Sequence, residues 1–269
     1  MKNKLAQLEQ YVERLVQEGI CIAFSGGVDS SLILKVATQA GKKLKKEVYA
    51  ITFESQLHPT SDLILSKKVA KEMGATHKIV KMNEFENKEI LKNPVNRCYL
   101  CKKYLFSNLQ KISKELGCNY VVDGTNADDV KVYRPGVQAL KELGIISPLK
   151  DLGITKEEVR KMAEKLKISV SSRPAAPCMA TRLPYNTEID FDLLKKIERG
   201  EEFIKKLGFT VVRLRMHGDV IRIEVAKEDL KRLLEKSGEI IDYLKNLGFI
   251  YITVDLEGFR SGSMDIPIL

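Results

Sequence analysis

"ICIAFSGGVDSS", residues 20–31, runs from five apolar residues into a pair of glycines and then into two serines that open a helical pattern. The apolar run reads as a short buried strand, and the spacing of apolar residues through 32–40 reads as a helix. A strand, a tight loop and a helix in that order point amide N–H groups at an anion on the positive end of the helix, which makes a seat for phosphate. Gly26 and Gly27 let the backbone turn and approach closely. Ser25 and Ser30 add hydroxyl donors, and Asp29, in the first helical turn, can orient a phosphate-bound Mg2+ ion. No lysine lies in the loop, so it is not the GxxxxGK[ST] phosphate loop that serves cleavage at the terminal phosphate.

The flanking sequence repeats the same alternation. "EVYAITF" (47–53) and "THKIVKM" (76–82) read as strands, 62–73 and 104–116 as helices, and "YVVDG" (120–124) as a further strand. Strands alternating with helices predict an α/β, Rossmann-type parallel sheet with helices on both faces, and ligands of such sheets bind at the carboxyl ends of the strands. Thr52 belongs to one such end; Gly124, Asn126 and Asp128, in "DGTNADD" (123–129), belong to another. Near residue 172 a helical stretch (155–167) gives way to "SSRPAAPCMATRLPY" (171–185), with Pro174, Pro177 and Pro184, which places a domain boundary between 1–172 and 173–269. Beyond it come a helix (192–207), a hairpin around His217, Gly218 and Asp219, two helical stretches and a strand (249–256), forming a smaller α+β domain. No internal repeat or low-complexity segment is visible.

Composition narrows the class. With 269 residues, 44% hydrophobic and 30% charged, the chain can bury a real core, and no apolar run approaches the roughly 20 residues a membrane span needs. The first residues carry Leu5, Leu8, Val12 and Leu15 at helical spacing and read as an amphipathic helix rather than a signal peptide, so a cytoplasmic protein is expected. A formal net charge of +9 favours anionic partners such as nucleotides, although solvated lysine faces give the same balance. In a reducing compartment the five cysteines are not expected to pair into disulfides.

Cys21, inside the first strand, and Cys118, at a helix-to-strand turn, read as small buried hydrophobes. Cys98 and Cys101, in "RCYLC", can bind one soft metal or form a redox pair at a helix start, and Lys102 and Lys103 favour their thiolates. Cys178 sits in the proline-flanked junction between Arg173 and Arg182. None of His58, His77 and His217 stands at zinc-finger spacing from the pair, so a four-ligand zinc site lacks its fourth ligand. Three cysteines on an iron-sulfur cluster would leave one iron open to exogenous sulfide. In "VVRLRMH", Arg213 and Arg215 share one strand face and suit phosphate, or form a solvated polar face. Glu201 and Glu202 read first as a solvated helix face.

The loop "SGGVDSS" resembles that of the PP-loop ATP pyrophosphatases, which split ATP between its α and β phosphates. In this order "SGGVDSS", "NRCYLCKKYLF", "DGTNADD", "SRPAAPCMATRLPY", "RLRMHGDVIRIE" and "GFRSGSMD" resemble the LarE-type ATP-dependent sulfur transferases across nearly the whole chain. The resemblance implies a pyridinium biscarboxylate mononucleotide substrate of nickel-pincer cofactor synthesis, adenylated on a carboxylate and converted to a thiocarboxylate. It further implies Ser25, Gly26, Gly27, Asp29, Ser30, Thr52, Gly124, Asn126 and Asp128 for ATP, Arg182, Arg213 and Arg215 for a phosphate, and a homo-hexamer. In this family the cysteine matching Cys178 is either a sacrificed sulfur donor or, with a CxxC pair, a ligand of a 4Fe-4S cluster; Cys98 and Cys101 imply the second, with sulfide as the transferable sulfur. The competing readings are a tRNA thiolation enzyme on the same loop, an amide-forming synthetase, and a zinc-stabilised nucleotide-binding module without catalysis. A nucleic-acid partner is not expected, because no aromatic-rich basic segment accompanies the single CxxC.

Overall fold

The computed structural model describes residues 2–82, 86–130, 135–174 and 177–266; Ala175 and Ala176 of the proline-flanked junction therefore lie outside the described residues. The chain divides into two compact units, the first built from Met1–Ser55, Thr60–Asn83 and Asn96–Ala176, the second from Gln56–Pro59, Glu84–Val95 and Pro177–Leu269. Two short stretches from the first half of the sequence thus join the second unit, which no single cut reproduces. Backbone hydrogen bonds explain their membership: Met179 N–H donates to Leu57 O at 2.8 Å, and Asn186 N–H and Ile189 N–H donate to Asn93 O and Leu91 O, each at 2.8 Å.

The first unit opens with α1 (Lys2–Glu18), β1 (Ile20–Ala23), α2 (Val28–Leu44), β2 (Val48–Glu54), α3 (Thr60–Met73) and β3 (Thr76–Lys81). After the short α4 (Lys88–Leu91) of the second unit come α5 (Arg97–Glu115), β4 (Tyr120–Val122), α6 (Pro135–Glu142), α7 (Pro148–Asp151) and α8 (Lys156–Lys165). The sheet order is β3-β2-β1-β4, all parallel, with a bridge from Val122 to Ile146 beyond β4.

Period-2 alternation decides the layers. Ile20, Ile22, Val48, Ala50 and Val122 join a core with α1, α2 and α8, while Cys21, Ile51 and Val121 join a second core under α5 and α6. The inner strands β1 and β2 carry buried residues into both cores, the condition under which parallel sheets are stable, whereas the edge strand β3 stays largely exposed. From β1 the chain steps outward to β2 and β3, then returns to the other side of β1 for β4. The carboxyl ends of β1 and β4 therefore flank the point where strand order reverses, which is where such sheets bind ligands.

The second unit carries α9 (Phe191–Lys206), β5 (Val212–His217), β6 (Val220–Val225), α10 (Leu230–Glu235), α11 (Ser237–Asn246) and β7 (Tyr251–Val254). Its sheet order is β5-β6-β7, antiparallel then parallel, and Phe203 of α9 stacks on Tyr243 of α11 with ring centres 3.9 Å apart. One expectation from sequence fails here: α5 starts at Arg97, not at 104, and takes both cysteines of "RCYLC" into its first two turns. Its first half buries only Arg97 and Phe106, so the apolar periodicity that announces a helix begins late. No helix among the described residues is long and apolar enough to cross a membrane.

Candidate functional site

The loop between β1 and α2 is shaped by its own serines. Ser25 Oγ and Ser30 Oγ lie 3.2 Å apart, Gly27 N–H donates to Ser25 Oγ at 3.3 Å, and Ser30 Oγ donates to Gly27 O at 3.2 Å. No side chain caps α2, whose N-cap is Gly27, so its first-turn N–H groups, which have no intrahelical partner, can serve a bound anion. Gly26 has φ +71°, and a Cβ there would stand 3.0 Å from Ser66 Cα in α3. Phosphate can therefore come against bare backbone.

The carboxyl end of β4 meets the same place. A Cβ on Gly124 would stand 2.7 Å from Ser30 N and 3.1 Å from Ser30 Cα, both backbone atoms of α2 that cannot swing aside. Gly124→Ala is expected to cost about 1–3 kcal/mol by overpacking and to displace the first turn of α2. Thermal unfolding, together with ATP-dependent pyrophosphate release, checks both effects.

Beyond Gly124, Asn126 donates through Nδ2 to Asp29 Oδ1 at 3.1 Å, and Asp128 N–H donates to Asn126 Oδ1 at 2.9 Å. Asp128 Oδ2 accepts the backbone N–H of Lys156 at 2.8 Å, and the Lys156 ammonium pairs with Asp29. Asn126 and Asp128 thus brace Asp29 and α8. Asp123 anchors the segment, accepting from Thr125 Oγ1 at 2.5 Å and Ser147 Oγ at 2.6 Å. Thr52 is buried in β2; its Oγ1 donates to Phe24 O at 2.7 Å and so accepts from His77 Nε2 at 2.8 Å, which puts the imidazole proton on Nε2. Burial, with the Lys67 charge second, lowers the His77 pKa.

The five cysteines separate physically. Cys21 and Cys118 are buried; burial pushes the Cys21 thiol up to about 12, with Cys118 adding to it, and raises Cys118 as well. Neither offers a thiolate near neutral pH. Cys98 is exposed and Cys101 partly so, three residues apart on one face of α5. Arg97 Nη2 lies 3.8 Å from Cys98 Sγ. Cys178 is partly exposed in the second unit, at the N-cap of a short 3-10 helix, Met179–Arg182. Among the described residues no three His, Cys, Asp or Glu side chains form a group that could hold a metal ion.

In the second unit the arginines are not a solvated face. Arg182, Arg213 and Arg215 are 2%, 7% and 4% exposed. Arg182 forks onto Glu201 through Nε (2.8 Å) and Nη2 (2.9 Å), while Arg215 Nε meets Glu224 at 3.2 Å and its Nη1 donates to Thr181 O at 2.7 Å. Arg213 lies under the ring of Phe259, 5.3 Å from its centre. Burial, reinforced by the Arg182 charge, pushes Arg213 down to about 10. Burial alone would raise the Glu201 carboxyl, but the hydrogen bonds and charge of Arg182, with Arg213, hold it below the ordinary carboxylate range. The solvated helix face expected for Glu201 is thus corrected: it is 2% exposed and also accepts Leu214 N–H at 3.0 Å. Glu202 beside it is only half-buried. Among the described residues, three buried guanidinium groups thus stand with the buried carboxylates Glu201 and Glu224, charges that burial makes costly unless they are paired.

Comparison with known proteins agrees with this layout. A model of the asparagine synthase family matches residues 5–105, which hold the loop. An uncharacterized protein of Synechocystis sp. is 39% identical over 267 residues, 98% of either chain. Pyridinium-3,5-bisthiocarboxylic acid mononucleotide synthase of Lactiplantibacillus plantarum, a LarE protein, is 32% identical over 246 residues, 91% of this chain and 88% of its own length. The chain belongs to the LarE family of PP-loop sulfur transferases. A tRNA-specific 2-thiouridylase of Rickettsia bellii shares 26% identity over 195 residues, covering 59% of this chain and 52% of its own. That likeness is more distant than the one to the Lactiplantibacillus protein.

As a LarE-family member the chain is an ATP-using, sulfur-transferring enzyme. Sequence reasoning missed Lys156, which reaches Asp29 from far down the chain, and Glu224, which pairs Arg215, and it read Glu201, the partner of Arg182, as solvated. The capping signal "TKEE" at 155–158 announces the α8 start, but nothing local says which loop that start faces.

Proposed function

We propose that this LarE-family enzyme converts the carboxylate of a pyridinium biscarboxylic acid mononucleotide to a thiocarboxylate. The observation that carries this is the likeness to the Lactiplantibacillus enzyme along both units, from the loop through the buried arginine group. In the first unit, Ser25, Gly26, Gly27 and Ser30 bind the phosphates, Asp29 offers its carboxylate to Mg2+, and Thr52 and Gly124 shape the nucleoside side, with Asn126 and Asp128 as braces. A substrate carboxylate oxygen attacks the α phosphorus, the bond to the bridging oxygen breaks, and pyrophosphate leaves against the amides of α2, which stabilise the growing charge. A sulfur nucleophile then attacks the acyl carbon and AMP leaves. Arg182, Arg213 and Arg215 hold the phosphate of the mononucleotide in the second unit.

Cys98, Cys101 and Cys178 are the residues that would hold a 4Fe-4S cluster. Two thiols one helical turn apart, Cys98 exposed and beside Arg97 and Cys101 partly exposed, fit two ligands of such a group. When bound, it supplies an iron with no protein ligand, a place for exogenous sulfide. We also propose the family's homo-oligomer for this chain. The test is an anaerobic incubation with ATP, Mg2+, sulfide and the biscarboxylate mononucleotide. AMP, pyrophosphate and a product with oxygen replaced by sulfur are expected together. Pyrophosphate release that depends instead on tRNA, with tight and salt-sensitive tRNA binding, would transfer the function to the thiolation class.

A further inference from the structure

Thr52, near the carboxyl end of β2, carries a hydroxyl whose hydrogen bonds are nearly used up. A hydroxyl has one proton to give and two lone pairs to offer. The proton goes to Phe24 O at 2.7 Å, the last carbonyl before Ser25 and the loop. One lone pair takes the Nε2 proton of His77 at 2.8 Å. Phe24 is itself fixed: its N–H donates to Ile51 O at 2.8 Å, and its ring stands edge-on to the His77 ring with centres 5.9 Å apart. Swinging the Thr52 proton away would deprive the Phe24 carbonyl of this donor, in a place where Thr52 is only 6% exposed. Among the described residues this leaves the hydroxyl one lone pair. Toward a ligand it can accept a hydrogen bond and cannot donate one.

The surface beside that lone pair is apolar. In the parallel register of β2 and β3, His77 stands opposite Ala50 and Ile79 opposite Thr52, so Thr52, His77 and Ile79 share one face of the sheet. Ile79 is 36% exposed. Phe53 and Glu54, beyond Thr52, are half-buried, so the cover thins toward the carboxyl end of β2, the end at which parallel sheets bind ligands. A flat ring with an N–H group on its edge matches this surface, since the ring covers Ile79 while the N–H meets the Thr52 oxygen. A sugar, with hydroxyls all round, would gain nothing from Ile79. Among purines, adenine carries an amine at position 6, whereas guanine and hypoxanthine carry a carbonyl oxygen there. An oxygen set against the remaining lone pair would lose its partner from water and find none in the protein.

We propose that Thr52 reads the exocyclic amine of adenine, its hydroxyl held as a pure acceptor by His77 and the Phe24 carbonyl, and so selects adenine over 6-oxopurine nucleotides. This rests on the ATP reading of the loop between β1 and α2 and deepens it. The loop binds phosphates that every nucleoside triphosphate shares, so selection among bases has to come from a group outside it.

Calorimetric binding of the magnesium complexes of α,β-methylene ATP and its inosine counterpart, neither of which can be cleaved between those phosphates, tests the proposal. Wild type is expected to prefer the adenine analogue by roughly ten- to hundred-fold, the effect of a buried polar group left without its partner. Thr52→Val, similar in shape but lacking the hydroxyl, is expected to bring the two analogues within about threefold of each other. Thr52→Ser, which keeps the hydroxyl, is expected to retain most of the preference. The readout is a ratio measured on one protein, so a loss of stability in either variant cancels from it. Nitrogen-15 chemical shifts of the His77 ring are expected to place its proton on Nε2, and a proton on Nδ1 would undo the relay. A preference that survives in Thr52→Val, or equal binding of both analogues by wild type, would overturn the proposal. Wild-type protein that binds neither analogue would overturn the loop reading beneath it.

Discussion

Glu201→Ala is expected to destabilise the second unit by about 3–5 kcal/mol, the cost of breaking a buried pair and leaving one charge behind. Glu201 takes both arms of Arg182, with the Leu214 amide on the same carboxylate. Removing the carboxylate strands a guanidinium that is 2% exposed, next to Arg213, whose own pKa the Arg182 charge already depresses. Glu201→Gln keeps the shape and one acceptor, so a smaller loss is expected. Urea unfolding of both variants measures the difference through the midpoint at constant slope.

The acid response follows from the same group. Because the folded Glu201 carboxyl lies below its ordinary value, its contribution is fully present above the unfolded value of about 4.3 and is lost as pH falls through the folded one. Wild type should therefore lose stability in that window more steeply than Glu201→Gln. Parallel acid curves for the two proteins would show that Glu201 carries no such linkage.

Much of the first unit was legible because its signals are local. Short apolar runs at 20–24 and 47–53, a glycine pair and a helical stripe suffice to announce β1, β2 and α2, because burial on both sheet faces makes such strands nearly continuously apolar. The loop was legible for the same reason, since Ser25, Gly26, Gly27 and Ser30 are neighbours in sequence. The start of α5 was not, because "RCYLCKKY" is mostly half-buried and carries no apolar stripe.

The arginine strand shows a different limit. Alternation correctly placed Arg213 and Arg215 on one face of β5, but whether that face meets water depends on what covers it. The cover comes from Thr181 and Arg182 on one side and from Phe259 and Ser263 on the other, with Ser263 Oγ donating to Glu224 Oε1 at 2.6 Å. These residues are dozens of positions away, and a strand pattern holds no information about them. Lys156 and Asp29 are separated in the same way.

Cys178→Ala is expected to abolish thiocarboxylate formation while leaving ATP-dependent pyrophosphate release largely intact. On the proposed function the two halves of the chemistry use different residues: adenylation would use the loop around Asp29 in the first unit, and sulfur delivery would use thiols. Cys178 is held for such a role without being buried. Its carbonyl accepts from Thr181 Oγ1 at 2.8 Å and from Arg182 Nη1 at 3.4 Å, and Arg182 is itself locked by Glu201. The peptide is pinned and the thiol is left partly exposed. If Cys178 is a ligand together with Cys98 and Cys101, anaerobically purified wild type carries about four irons per chain with acid-labile sulfide, and both Cys178→Ala and Cys98→Ser lose them. Iron-free wild type whose mass drops on turnover by that of hydrogen sulfide would instead make Cys178 the sulfur source, and Cys98→Ser would then transfer sulfur normally. Because the Glu201–Arg182 pair holds the Cys178 peptide, Glu201→Gln should also slow sulfur transfer more than pyrophosphate release. That coupling separates a positioned thiol from an incidental one.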